Sequence, residues 1–335
     1  MAAVAGDTLE SVMKRYAREA DRAVDRYLRG GGHPTLKEAM RWIPMAGGKR
    51  LRPVLAMMVG EAVGGDRGAR AALPVGVALE IIHNFTLVHD DIMDRSPLRR
   101  GQQTVHTKWD EATAINAGDA LFARAFEVAL LTPAPDAVKV EIVEKVSQMV
   151  RGIADGQQFD MEFEKAPAVT ANQYLKMIEL KTALMFSTGA YCGSRAAKAT
   201  PRVARELEAY GALMGTSFQI QDDILDCFAD EGALGKPVGQ DIRNGKRTLL
   251  AIDTFASLQG NDLDRFRAIF GRQDATAQEV QEVAKLFESC GARARTQATA
   301  DRIGKRAVAK LNVLKASPAR DRLAAFVGFM TARSR

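Results

Sequence analysis

Apolar residues recur about every 3.6 positions along most of this chain, whereas strictly alternating apolar and polar residues are missing. A period of 3.6 places apolar side chains on one face of an α-helix, and a half-buried strand would show a period of two. The sequence therefore predicts an all-α fold without strands or hairpins. The predicted helices are 8–28, 36–46, 53–63, 71–94, 111–131, 136–164, 172–191, 203–228 and 245–257. Gly- and Pro-rich breaks are predicted at 30–34, 64–68, 97–101, 133–135, 165–170 and 232–239.

The chain has 335 residues, of which 47% are hydrophobic, and this is enough for a sizeable core. Neither a low-complexity linker nor an internal repeat divides it, so we expect a single domain over residues 1–335. No apolar run approaches the roughly 18 residues of a membrane span, and Asp7 and Glu10 argue against a signal peptide. We therefore expect a cytoplasmic protein without a transmembrane segment.

The three cysteines, Cys192, Cys227 and Cys290, lack the spacing of a metal site. An odd, small number of cysteines fits a reducing compartment and argues against a disulfide framework.

Positive charge is concentrated at the C-terminal end. Residues 293–335 contain eleven Lys and Arg against two Asp, within a chain whose net charge is +6. Such a segment can bind nucleic acid, an anionic membrane surface or a phosphorylated substrate, or it can be a solvated helix face. No aromatic residues are interleaved with the basic ones, so we expect no nucleic-acid partner.

Three carboxylates, Asp90, Asp91 and Asp94, follow an apolar helical segment in the stretch 80–104. Positions 90 and 94 lie one helical turn apart, and like charges at this spacing destabilise a bare helix. A divalent cation such as Mg²⁺ would neutralise them, and it binds carboxylates together with substrate phosphates. Arg99 and Arg100 then supply phosphate-binding guanidinium groups. A solvated acidic patch is the alternative, but the preceding residues are too apolar for a surface helix.

The same pattern recurs 132 residues later, at Asp222, Asp223 and Asp226, again after an apolar helical run. Basic residues, Lys236 and Lys246, follow this copy as well. Two clusters that face each other across a helical cavity could bind several metal ions and the diphosphate of a substrate with an apolar tail.

Other polar residues fall within or beside apolar segments, and each has a structural alternative such as a solvated face or a satisfied core position. They are Lys49 and Arg52 after a Gly pair, His83 two turns before Asp90, Gln157, Asp160 and Glu164 at helical spacing, and Lys181 with Thr182.

Several motifs occur together and in order: GGKRLRP, DDIMD, RRG, KT at 181–182, FQIQDD, DDILD, LGKP and DIRNGK. This set resembles the trans-isoprenyl diphosphate synthases, the polyprenyl synthetase family. The resemblance runs from about residue 40 to the C-terminus. It implies an all-α bundle around a deep central cavity, usually a homodimer, with three Mg²⁺ ions at its mouth. The expected substrates are isopentenyl diphosphate and an allylic diphosphate (dimethylallyl, geranyl or farnesyl).

The resemblance also implies a role for each matching residue. Metal binding falls to Asp90, Asp91, Asp94, Asp222, Asp223 and Asp226, with Asp241 nearby. Binding of the allylic diphosphate falls to Arg99, Lys181, Lys236 and Lys246. Binding of isopentenyl diphosphate falls to Lys49, Arg52, His83 and Arg100, with Arg333 and Arg335 in a basic ending that only loosely matches the family. Thr182 and Gln219 match polar groups near the carbocation.

We expect the residues before the first motif to set the product length. Phe85 lies five residues before Asp90 and is followed by the smaller Thr86. A single aromatic here, with no insertion in DDIMD, resembles the archaeal-type geranylgeranyl diphosphate synthases and implies a C20 product. A farnesyl (C15) or a longer-chain synthase is the alternative. A terpene cyclase would normally have an Asn/Asp-rich second motif, and an inactive partner subunit of a heteromeric synthase would normally have lost aspartates. Both motifs here are intact.

Overall fold

A computed structural model describes residues 8–228 and 238–331. The chain forms two compact units, and each is assembled from several chain segments. The first comprises residues 8–150, Met185–Glu208 and Leu311–Ala325. The second comprises Arg151–Leu184, the described part of Ala209–Lys310, and residues 326–331. The expectation of a single domain stays a prediction.

The first half of the chain is helical where the periodicity predicts helices. Its helices are α1 (Leu9–Tyr27), α2 (Pro34–Met45), α3 (Leu51–Met93), α4 (Val105–Lys108), α5 (Glu111–Leu130) and α6 (Asp136–Lys165). Local signals set some of these boundaries. The Thr8 hydroxyl accepts a hydrogen bond from Ser11 N at the start of α1, and Asp110 caps α5 in the same way.

Helix α3 reverses direction at Gly64 and Gly65, which have non-helical backbone angles. The φ of Gly65 is +62°, a conformation that favours glycine. The two arms then pack closely, because a Cβ on Gly60 would lie only 2.5 Å from the carbonyl oxygen of Gly68. The predicted break at 64–68 is therefore confirmed, and the second arm ends at the first aspartate cluster.

By length and composition α3 could cross a membrane, and 67% of its most apolar window is buried inside the structure. Such burial, together with the reversal at Gly64 and Gly65, is typical of the core of a globular protein. The second arm packs extensively against α5.

The described residues include a short hairpin that the sequence patterns did not predict. Strands β1 (Leu98–Arg99) and β2 (Gln102–Gln103) pair as an antiparallel hairpin just after the first aspartate cluster. Its two turn residues, Arg100 and Gly101, have φ of +53° and +76°, as a type I′ hairpin turn requires. The prediction of a chain without hairpins is therefore wrong at this point, because strands of two residues are too short to show alternation.

The remaining helices are α7 (Ala171–Ile178), α8 (Leu184–Ala196), α9 (Pro201–Phe228), α10 (Gln240–Asn244), α11 (Leu249–Ser257), α12 (Gly260–Ile269), α13 (Ala277–Ser289), α14 (Ala292–Lys310) and α15 (Pro318–Thr331). A π-helical turn, Glu179–Ala183, separates α7 from α8 and interrupts the helix predicted over 172–191. Short π-helical turns of this kind often mark functional positions.

The three cysteines are free.

Candidate active site

The first aspartate cluster lies where α3 ends. Asp91 is buried, and its Oδ1 accepts from Arg99 Nε at 2.7 Å. Its other oxygen, Oδ2, is buried without a hydrogen-bond partner among the described residues. Burial raises the pKa of Asp91, and the nearby Arg99 guanidinium opposes that rise. Asp90 is half-buried, and Asp94 is exposed as the C-cap of α3.

Cations of the first unit surround the Gly47–Gly48 turn. The guanidinium of Arg100 donates to the carbonyl oxygens of Ile43, at 3.1 Å, and Gly47. Burial lowers the pKa of His83 well below its ordinary value, and Arg52 and Arg100 lower it further. His83 is therefore a neutral imidazole at pH 7 beside guanidinium groups. Arg52 is half-buried and Lys49 is exposed.

The second aspartate cluster occupies the last turns of α9. The Tyr174 hydroxyl donates to Oδ2 of Asp223 at 2.5 Å, and the Gln219 amide donates to Oδ1 at 2.8 Å. Burial raises the pKa of Asp223 to about 7, although these two donors lower it, and the charge of Asp222 adds to the rise. Asp226 is also buried, and its Oδ2 accepts from the backbone N–H of Asp241 at 2.9 Å.

The π-helical turn places Lys181 and Thr182 beside this cluster. The Thr182 hydroxyl donates to Gln219 Oε1 at 2.8 Å, so the same amide contacts Thr182 and Asp223. Lys181 Nζ lies 2.5 Å from Oδ2 of Asp160, and Lys246 Nζ lies 2.7 Å from the same oxygen. Burial would raise the pKa of Asp160, but the charges of the two lysines outweigh burial and lower it.

Aromatic side chains line α3 and α5 below the first cluster. The Phe85 ring lies 4.9 Å from that of His89 and 5.4 Å from that of Phe122, between centroids. Phe126 continues the row, 5.1 Å from Phe122. Thr86 instead donates through its hydroxyl to the carbonyl oxygen of His83. The predicted length-setting Phe85 thus belongs to a row of aromatic rings that extends onto a neighbouring helix.

Some predicted site residues are not brought together here. Lys236, Arg333 and Arg335 lie outside the described residues. Within 8–228 and 238–331, no group of three or more His, Cys, Asp and Glu side chains is close enough to share a metal ion. The two clusters belong to different units, and each is described separately. The assignment of metal ligands stays a prediction.

The residues present nevertheless fit Mg²⁺ chemically. Both clusters offer hard carboxylate oxygens, which Mg²⁺ prefers. In the first cluster, a buried oxygen of Asp91 has no hydrogen-bond partner in the described part of the chain. A buried carboxylate oxygen in this state is costly unless a donor or a cation reaches it.

Two residues that support the site had no sequence signal. Arg50 is 3% exposed, and it pairs with Glu80 at 2.9 Å and Asp21 at 2.6 Å. It lies inside the GGKRLRP motif, but burial of a charged residue cannot be predicted from that motif alone. Tyr174 reaches Asp223 across 49 positions of sequence, a contact that only the fold reveals.

Comparison with known proteins decides the family. The profile of the polyprenyl synthetase family matches residues 33–287. The chain belongs to this family. A geranylgeranyl diphosphate synthase of Methanosarcina mazei is 38% identical over 326 residues, which cover 97% of this chain and 98% of that protein. A short chain isoprenyl diphosphate synthase of Methanothermobacter thermautotrophicus is 38% identical over 322 residues, covering 96% and 98%.

Solved structures of polyprenyl synthetases agree with the fold. A geranylgeranyl pyrophosphate synthetase from Pyrococcus horikoshii superposes with a TM-score of 0.89 at 37% identity, covering 96% of this chain and 98% of that one. The family assignment from the motifs and the all-α class are both confirmed.

Proposed function

We propose that this polyprenyl synthetase is a prenyltransferase that condenses isopentenyl diphosphate with allylic diphosphates and makes mainly geranylgeranyl diphosphate, a C20 product. The observation that carries the proposal is the near full-length identity of 38% to a protein named geranylgeranyl diphosphate synthase. The single aromatic Phe85 five residues before Asp90 supports the same product length.

Cationic side chains would bind and orient the two diphosphates. Lys181 and Lys246 converge on one carboxylate oxygen, and we assign them, with Arg99 and Lys236, to the allylic diphosphate. Lys49, Arg52, His83 and Arg100 would hold isopentenyl diphosphate. Positive charge near a departing diphosphate stabilises the charge that develops as the allylic C–O bond breaks.

Neutral dipoles would face the carbocation. The Thr182 hydroxyl and the Gln219 amide are hydrogen-bonded to each other and therefore hold fixed orientations. Exclusion of water by apolar walls protects the cation until the double bond of isopentenyl diphosphate attacks it. The released diphosphate takes the proton that ends the cycle, so no dedicated protein base is needed.

Mg²⁺, with three ions per site in the family pattern, would be held by Asp90, Asp91 and Asp94 and by Asp222, Asp223 and Asp226. When bound, it supplies Lewis-acid stabilisation of the diphosphate charge. The aspartates' own contribution is to fix the positions of oxygen ligands at the ends of α3 and α9.

We further propose a cytoplasmic homodimer. A partner subunit would cover exposed apolar side chains on or beside α5 and α6. They are Ile115 at 46% exposure, Leu130 at 48%, Leu131 at 56% and Val140 at 65%. Sedimentation of the purified chain would test the dimer.

A prenyl-transfer assay tests the function. The protein is incubated with Mg²⁺, radiolabelled isopentenyl diphosphate and dimethylallyl, geranyl or farnesyl diphosphate in turn, and the products are separated by chain length. We expect a dominant C20 product. A dominant C15 product would favour a farnesyl diphosphate synthase, and longer products a polyprenyl diphosphate synthase. An absence of any condensation product would refute the proposal.

A further inference from the structure

The carboxylate of Asp160 on α6 contacts two of the lysines that the proposed function assigns to the allylic diphosphate. Lys181 Nζ and Lys246 Nζ share its Oδ2, at 2.5 and 2.7 Å. Asp160 is only 7% exposed, whereas both lysine side chains retain access to solvent. A buried carboxylate thus contacts two lysines whose side chains are partly exposed.

The local backbone brings Lys181 against α6. A Cβ on Gly156 of α6 would overlap the backbone N of Lys181 and lie 2.8 Å from its Cα. Only glycine permits this approach, because the atoms in the way belong to the backbone and cannot rotate aside. The π-helical turn therefore rests directly on α6, one turn before Asp160.

Lys246 contacts the same oxygen of Asp160 from a different part of the chain. It follows Gly245, which ends α10 with a φ of +67°, and its backbone N–H donates to the carbonyl oxygen of Asp241. Its ammonium also contacts Glu164 at 2.6 Å. Glu164 is more exposed than Asp160 and has no contact with Lys181 among the described ion pairs.

We propose that Asp160 is a positioning residue that holds the ammonium groups of Lys181 and Lys246 together, ready to receive the diphosphate of the allylic substrate. The inference rests on the proposed function. Two ammonium groups that contact the same oxygen atom lie close enough to repel each other, and the negative charge of that carboxylate offsets the repulsion. An ammonium group has three N–H donors, of which Lys181 uses one and Lys246 two in the described ion pairs, so both can still donate to a diphosphate.

Removal of the Asp160 carboxylate distinguishes a positioning role from a purely electrostatic one. If Asp160 acted only through its charge, Asp160→Asn would remove a negative group near the substrate and tighten diphosphate binding. If it positions the lysines, the same change lets them diverge and weakens binding, because a displacement of about 1 Å is enough to lose much of an oriented contact. The two accounts therefore predict opposite changes in the affinity of Asp160→Asn for diphosphate.

The experiment measures the affinity of the full chain for inorganic diphosphate with Mg²⁺ by calorimetry, and the KM for geranyl and isopentenyl diphosphates. We expect Asp160→Asn to weaken diphosphate binding and raise the geranyl diphosphate KM by about tenfold or more. The KM for isopentenyl diphosphate should change less than about twofold. Unchanged or tighter diphosphate binding would overturn the proposal.

Three further variants make the test specific. Asp160→Glu keeps the charge but moves the oxygen by about one C–C bond, so it should also weaken binding; it carries the test if Asp160→Asn does not fold, and wild-type affinity in it would refute positioning. Glu164→Gln should have a smaller effect, since it contacts only Lys246 of the two lysines. Asp155→Asn, exposed on the same helix, should change nothing.

Failure of the proposed function would look different. A wild-type chain that forms no prenyl product from any starter refutes that function, whereas the calorimetric comparison still reports on Asp160. Wild-type condensation with an unaltered affinity in Asp160→Asn and Asp160→Glu would instead refute the role of Asp160 alone.

Discussion

Asp91 in the first aspartate cluster is held by the guanidinium of Arg99, whereas Asp223 at the matching position of the second cluster is held by a tyrosine hydroxyl and an amide. A guanidinium stabilises the ionised carboxylate by charge. Neutral donors stabilise it by hydrogen bonds alone, and here they do not offset burial, since the pKa of Asp223 rises to about 7.

The comparison shows that the same sequence pattern can place its buried aspartate beside a charged donor in one cluster and beside neutral donors in the other. The first cluster ends its helix, so a cation from the following hairpin can reach it. The second cluster lies among buried residues of α9, where neutral side chains are less costly to bury than a second cation. Burial raises the pKa of both carboxylates, and only in Asp91 does a neighbouring cation oppose that rise.

The largest effect should come from removing a proposed metal ligand in either cluster. We expect Asp90→Ala and Asp222→Ala each to lower kcat by at least about 10³-fold, because each removes an oxygen that we propose holds positive charge near the leaving diphosphate. Steady-state kinetics at saturating Mg²⁺ checks this. Asp155→Ala, an exposed control on α6, should retain full activity. If only one of the two aspartate variants lost its turnover, the reaction would not require both clusters.

A second prediction concerns the partners of the two carboxylates. Arg99→Gln leaves the buried Asp91 without its cation and should cost about 2 kcal/mol of unfolding free energy. Tyr174→Phe removes one neutral hydrogen bond while Gln219 still donates, and should cost about 1 kcal/mol. Urea unfolding in EDTA checks both. The loss in Arg99→Gln should shrink in high salt, and the loss in Tyr174→Phe should not; equal salt dependence would contradict the distinction.

The third prediction is the pH dependence of the metal-free protein. The folded pKa of Asp223, about 7, lies above the value of about 3.9 for an unfolded Asp. The folded state therefore binds more protons between these values, and the unfolding free energy should fall as pH rises from about 4 to about 7. Asp223→Asn should flatten this fall when unfolding is followed in EDTA. Asp91→Asn should flatten it less, because Arg99 opposes the rise in the pKa of Asp91. A larger flattening in Asp91→Asn than in Asp223→Asn would contradict this difference between the two carboxylates.

The sequence was sufficient for the all-α class and for the long helices before residue 257, but not for the bounds of α12–α15 or for the contacts between helices. Periodicity predicted α3 and its break, since both depend on local residues. The hairpin was missed because its strands have two residues each, and the π-helical turn because it has the same local composition as an α-helix. The motifs DDIMD and DDILD identified the aspartates of both clusters. The support of Asp223 by Tyr174 depends on two helices meeting, so it could not be predicted locally.

The smallest effect on rate, and the most specific one, should come from the position five residues before each cluster. That position is Phe85 before Asp90 and Ser217 before Asp222. At 1.5 Å per residue it lies about 7.5 Å along the helix from the aspartate. The Phe85 ring is half-buried and contacts Phe122, whereas Ser217 is buried and donates to the carbonyl oxygen of Ala300. Only the first of these two positions carries an aromatic ring, and we propose that this ring limits the growing prenyl chain.

We expect Phe85→Ala to lengthen the main product by one or more C5 units, with kcat changed less than about tenfold, because the substitution removes bulk and no charge. Ser217→Ala should cost about 1 kcal/mol of stability and leave the product at its wild-type length. Leu87→Ala, which truncates a half-buried side chain on the same helix as Phe85, controls for loss of packing and should also leave product length unchanged. Chromatography of the products checks all three. If Phe85→Ala and wild type give the same distribution, the ring does not limit the chain; if Ser217→Ala lengthens it, the second helix shares that role.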